Sequence, residues 1–137
     1  MADGDEFIIT AKLFEQNQLS RARALFELYS SSGAIILHFR HDFETPSQKK
    51  KIVLNSWSVW GWGNELHHAS PFKPGQHVKI HVKKLGDIYE ITLTDGVVLT
   101  FPHRFSDTQN PTSFYYLGDW TFSKIQMICA KRNSESE

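Results

Sequence analysis

Hydrophobic and polar residues alternate along most of this chain with a period of two, the pattern of half-buried β-strands and not of helices. Phe7, Ile9, Ala11 and Leu13 share one parity, and Val78, Ile80 and Val82 alternate with His77, Lys79, His81 and Lys83. Tyr89, Ile91 and Leu93, then Val97 to Phe101, complete a three-strand meander from His77 to Pro102. Its turns fall at Gly86-Asp87 and at Asp95-Gly96, a pair that tolerates the positive φ of a tight hairpin. Ser30 to Gly33 and Ser70 to Gly75 are further turns, and Glu44 to Lys51 and Ser106 to Pro111 are polar connections. Ser113 to Leu117 and Trp120 to Ala130 read as closing strands around Gly118-Asp119.

One segment is ambiguous. Leu19, Ala22, Leu25, Phe26 and Tyr29 recur at helical spacing with Ser20 available as a cap. Ala24, Phe26 and Leu28 also alternate, and the flanking strands favour a strand here too. About ten short strands, punctuated roughly every 8 to 12 residues, predict one all-β domain of two antiparallel sheets. We divide the chain into a lead at 1–5, a domain at 6–131 and a polar tail at 132–137.

The stretch from Ile35 to His68 carries the candidate chemistry. In a strand, Ile35, Leu37, Phe39 and Phe43 stand on one face and His38, Arg40 and Asp42 on the other, a polar row expected to be wet. Antiparallel pairing with Lys51 to Ser56 would bring Asn55 beside that row. Trp57, Trp60 and Trp62 follow, interleaved with Gly61 and Gly63 and trailed by Glu65, His67 and His68. Aromatics flanked by glycines and charges suggest a binding surface more than a core. Such a group suits a neutral polyol, whose hydroxyls exchange hydrogen bonds with carboxylate, imidazole, amide and guanidinium while its CH face lies on an aromatic ring.

Composition narrows the alternatives. Fifteen basic and fifteen acidic residues cancel, so there is no general field for nucleic acid. No run reaches the about 18 apolar residues of a membrane helix, and MADGDEF lacks the pattern of a signal peptide. The single cysteine, Cys129, excludes an intrachain disulfide and is expected in the core of its apolar strand. No nucleophile elbow, phosphate loop or nucleotide fingerprint occurs, so neither enzyme chemistry nor a cofactor is expected. His38 and His41 have opposite parity and cannot join one metal cluster with His67 and His68. Asp42 and Glu65 are the one carboxylate pair with which a hydrolase could be imagined.

The pieces HFRHDF, IVLNS and WGNELH, with PFKPGQHVKIHV, DGVVLTFPHR and YYLGDW, resemble the galectin carbohydrate-recognition domain over nearly the whole chain. That resemblance implies a jelly-roll sandwich and a glycan-binding protein without catalysis. It implies oligosaccharides or glycoconjugates as partners, β-galactosides among them, with no nucleic acid and no membrane insertion. It also implies a cytoplasmic protein exported without a signal peptide. By the family pattern His38 and Asn55 would meet the 4- and 6-hydroxyls of galactose, Trp62 would underlie the ring, and Glu65 would bridge to the next sugar. Departures are concentrated in one strand: Arg40 stands for the family asparagine, His41 for its proline and Asp42 for its arginine, and His67 replaces a second arginine. An acceptor-only carboxylate cannot replace a guanidinium fork, so β-galactoside binding is expected to be weakened or altered. The late start of the chain relative to the family leaves only a weak homodimer as an expectation.

Overall fold

In the computed structural model, which describes residues 1–131, eleven strands form two antiparallel sheets. They are β1 (Glu6–Leu13), β2 (Arg23–Ser30), β3 (Ile35–Asp42), β4 (Lys51–Ser58), β5 (Gly61–Trp62), β6 (Leu66–His68), β7 (His77–Leu85), β8 (Ile88–Leu93), β9 (Val98–Pro102), β10 (Pro111–Gly118) and β11 (Trp120–Ile128). One sheet runs β11-β1-β7-β8-β9; the other runs β10-β2-β3-β4-β5, with β6 also paired to β4. The alternating apolar parities face each other between the sheets. Phe26 and Phe39, both fully buried, stack at 5.0 Å, and Trp120 and Tyr89 join the same core. The polar tail at 132–137 lies outside the described residues.

The ambiguous segment is a strand. β2 has a partner on each side, Tyr116 and Phe39 opposite Phe26, and ladder bonds to both neighbours outweigh local helix spacing. The chain before it is held by a buried carboxylate. Asp119 Oδ2 accepts the backbone N–H groups of Ser20, Arg21 and Ala22 at 3.1, 2.9 and 2.7 Å, and Oδ1 accepts the Ser20 hydroxyl at 3.0 Å. Ala22 is thereby kept in the left-handed region at φ 58°.

Two expectations are corrected. Gly118-Asp119 does not fold β10 back onto β11; it carries the chain from one sheet to the other, since β10 pairs with β2 and β11 with β1. Only glycine fits there, because φ is 106° and a Cβ would lie 2.3 Å from the Arg23 carbonyl oxygen. Cys129 is exposed and not a core residue. It follows an edge strand whose Ile125, Met127 and Ile128 are also largely exposed, so apolar composition did not mean burial there.

Candidate functional site

Sheet register assembles the site on the face of β2, β3 and β4 that turns away from the core. Glu27, His38 and Asn55 form one rung; Leu25, Arg40 and Val53 form the next; Arg23, Asp42 and Lys51 form the third. Over these rungs lies a groove of about 480 Å³. Glu27, His38, Arg40 and Asn55 line it from the sheet, Arg23 and Leu25 close one side, and Trp62, Gly63 and Glu65 close the other. The structure thus brings together His38, Arg40, Asn55, Trp62 and Glu65, and leaves Asp42 and His67 outside the groove.

Of the expected wet row, His38 and Asp42 are buried and Arg40 is half-buried. His38 is 6% and Asp42 5% exposed, because β2 and β4 flank β3 and long side chains cover it. His38 Nδ1 lies 2.7 Å from Glu27 Oε2, and the Tyr29 hydroxyl donates to Glu27 Oε1 at 2.7 Å. Burial works to raise the Glu27 carboxyl, but the hydrogen bonds from His38 and Tyr29 outweigh it and hold it below the ordinary value. Burial and that carboxylate push Tyr29 up to about 12. A carboxylate at Nδ1 fixes the proton on that nitrogen and leaves Nε2 for the groove. The His38 ring stands edge-on to Trp62 at 4.9 Å, and Trp62 is 54% exposed. Trp60 is 93% exposed but outside the groove, and Trp57 is half-buried opposite Trp62.

Arg40 spends part of its fork inside the protein. Its Nε and Nη2 donate to Asp42 Oδ1 and Oδ2 at 2.8 and 3.1 Å, so both carboxylate oxygens are occupied and Nη1 remains for the groove. At the opposite wall, Glu65 Oε1 lies 2.8 Å from His67 Nε2, and that bond, aided by the charges of Arg40 and Lys51 and opposed by burial, lowers the Glu65 pKa. Asp42 and Glu65 therefore do not face each other across one cavity as a hydrolytic pair would.

Sequence reasoning missed three contributors. Arg104, on the loop after β9, donates from Nη1 to Asn55 Oδ1 at 3.0 Å and to Ser56 Oγ at 3.1 Å, and from Nη2 to the Asn64 carbonyl at 2.8 Å. Its guanidinium sits 4.6 Å from the Phe101 ring centroid, and burial lowers its pKa from a very high ordinary value, leaving it charged. Asn55 Oδ1 also accepts the Ser56 N–H at 2.8 Å, so the amide oxygen is the end engaged within the protein. A Cβ at Gly63 would come within 2.7 Å of Arg104 Nη1, so any larger residue there would displace that guanidinium. Glu27 and Arg23 were missed because their segment was ambiguous, although β2 parity, once fixed, puts both on the groove face. Arg104 stood within the motif DGVVLTFPHR, but nothing local linked it to Asn55.

His41 points the other way, as its parity requires. Its Nδ1 lies 2.9 Å from Ser70 Oγ, its ring meets Phe43 and Phe72 edge-on at 4.6 and 5.4 Å, and burial lowers its pKa to about 4. Among the described residues no three His, Cys, Asp or Glu side chains converge as a metal site.

Two antiparallel sheets in this order form a jelly-roll sandwich with a polar groove on one outer face. The sequence profile described as galactoside-binding lectin matches residues 1–127, and the chain belongs to that family, the galectins. It is similar to a beta-galactoside-binding lectin of Electrophorus electricus, 29% identical over 76 residues that cover 55% of this chain and 59% of that one. Galectin-2 of Mus musculus is 33% identical over 88 residues, covering 64% of this chain and 65% of its own. These matches span about three fifths of each relative's length. The crystal structure of an ancestral congerin superimposes with a TM-score of 0.79 over 92% of both chains at 23% identity, a likeness of fold.

Proposed function

We propose that the groove binds a glycan containing a β-galactoside, without chemistry, through an arginine arrangement altered from the family pattern. The observation that carries this reading is the pairing of a half-exposed Trp62 face with His38 Nε2, the Asn55 amide, Arg40 Nη1 and Glu65 around one groove. Ring hydroxyls find an acceptor at His38 and Glu65 and donors at Asn55 and Arg40, while the apolar sugar face covers Trp62. His67 acts by holding Glu65, and Asp42 acts by holding Arg40, so both influence the sugar indirectly.

Lactose affinity below that of ordinary family members is the expected result, because Arg40 has Nε and Nη2 committed to Asp42. A donor lost from a desolvated site costs about 1–3 kcal/mol. Family membership also supports a cytoplasmic protein released without a signal peptide. The test is a glycan array followed by calorimetry on the intact chain and on Trp62→Ala. Trp62→Ala should weaken galactoside binding by about tenfold to a hundredfold with the fold preserved. An empty array, or binding untouched by Trp62→Ala, would sink the proposal and favour a protein-interaction role for the domain.

A further inference from the structure

The hairpin of β4 and β5 ends in an apex that nothing in the fold accounts for. Trp57 pairs with Trp62 and Ser58 with Gly61, so Val59 and Trp60 are the two residues of the turn. Val59 is 83% and Trp60 93% exposed, more than any other large hydrophobic residue described. Tight turns favour Gly, Pro, Asn, Asp and Ser, each for a conformational reason, and a β-branched valine beside a tryptophan has none of them. Neither side chain belongs to the core cluster or packs against it. Trp60 also lies outside the sugar groove. Two large apolar side chains without a role inside the molecule point to a partner outside it.

Shape and chemistry select that partner. The apex is convex and two residues wide. A tryptophan offers roughly 150–250 Å², well short of the roughly 800 Å² that each side of a stable protein interface contributes. From Ser56 to Gly63 there is no charged residue, so the apex lacks the polar rim that surrounds such an interface. Its backbone is also closed on itself: the Trp60 N–H donates to Ser58 Oγ at 3.2 Å and the Gly63 N–H to the Ser56 carbonyl at 2.9 Å. A hairpin with its donors engaged enters a less polar medium at low cost. An indole, apolar in body with one N–H at its edge, is a side chain that accumulates where water meets lipid.

We propose that Val59 and Trp60 form a wedge that seats in the headgroup layer of a lipid bilayer, while the adjoining groove holds a galactoside carried by a glycolipid of that bilayer. The inference rests on the galactoside reading given above. Register supplies the coupling: Trp62, which lines the groove, is two residues from Trp60 on the same hairpin, about 7 Å along an extended chain. A tethered sugar and a dipping indole are then two contacts with one surface, and the first raises the effective concentration of the second. The contact is confined to two side chains, and no helix among the described residues is long and apolar enough to cross a membrane.

The experiment sets the intact chain, Trp60→Ser, and Val59→Ser with Trp60→Ser against phosphatidylcholine vesicles with and without lactosylceramide, and against free lactose by calorimetry. Trp60→Ser should weaken binding to lactosylceramide vesicles about tenfold, and the double variant should weaken it further. Both variants should bind free lactose as the intact chain does, which also reports an intact fold. Vesicles without the glycolipid should bind far more weakly, because two side chains alone do not hold a protein to a bilayer. Bromine-labelled lipid should quench indole fluorescence in the intact chain, and most of that quenching should vanish in Trp60→Ser. Equal binding of all three proteins to lactosylceramide vesicles, or quenching that survives Trp60→Ser, would overturn the wedge and leave the galactoside reading standing. A matching loss of free lactose binding would overturn it too, by making Trp60 a sugar contact. If neither free lactose nor lactosylceramide vesicles bind, the galactoside reading falls and the wedge with it.

Discussion

Two histidines three residues apart on β3 have opposite fates. His41 faces the core, bonded to Ser70 and ringed by Phe43 and Phe72, and desolvation keeps it neutral. His38 is almost as buried but faces the groove, where Glu27 engages one nitrogen and, on the proposed reading, the other is the one offered to a sugar. Burial alone therefore does not separate structure from function on this strand. The partner does: a hydroxyl and two phenyl rings make a packing residue, whereas a carboxylate makes an oriented hydrogen-bonding group.

Substitutions on the two faces should divide along the same line. The largest effect on stability is expected from Phe39→Ala, on the core face, at about 3–5 kcal/mol for a fully buried ring stacked on Phe26. Denaturant unfolding measures it, and a loss under about 1 kcal/mol would mean that the core face is not the stabilising one.

Acid should act next, through His41. Its folded pKa is depressed from 6.5 to about 4, so the unfolded chain takes up a proton that the native one refuses. Stability is full above about 6.5 and falls as pH drops toward about 4, by on the order of 3 kcal/mol. Glu27, with a lowered carboxyl, adds a loss of its own as pH falls below its ordinary 4.5. Unfolding midpoints across pH, repeated with His41→Gln, should show a flatter profile above pH 4.5 in the variant; an unchanged slope would assign the loss elsewhere.

On the groove face, Glu27→Ala strands the Nδ1 proton of His38 and the Tyr29 hydroxyl, and should cost about 1–3 kcal/mol. It should also weaken galactoside binding by freeing the His38 tautomer, a coupling that the core substitution lacks. Nitrogen chemical shifts of His38 report the tautomer directly, and a ring still protonated at Nδ1 alone would contradict the assigned role. Smallest of all, Trp62→Ala should change stability by no more than about 0.5 kcal/mol, because its ring is more than half exposed. A larger loss, read from the thermal midpoint, would move Trp62 from the groove into the packing set.

Strand identity was legible because a period of two is written in the residues themselves. The parity of Ile35 to Phe43 placed His38 and His41 on opposite faces, and the register then set Asn55 beside His38. What period cannot show is the chain that comes to lie on top. The row at His38, Arg40 and Asp42 looked wet because nothing local says that Glu27 and Trp62 will close around His38. Arg104 is 49 residues from Asn55, and Asp119 is 97 to 99 residues from the segment it pins. Cys129 failed for the converse reason: an apolar strand at the edge of a sheet lacks the second neighbour that would bury it.

The place of β1 has a consequence for the order in which the molecule can form. It lies between β7 and β11, pairing Glu6 with both Lys83 and Ile128. During synthesis β1 is made well before either neighbour, and β11 is the last of the eleven strands to appear. Closing such long loops is slow, and until then both edges of β1 offer unpaired amides to any other strand in reach. Folding of this domain is therefore expected to finish only after β11 has been made, with β1 the segment most in need of shelter by a chaperone until then.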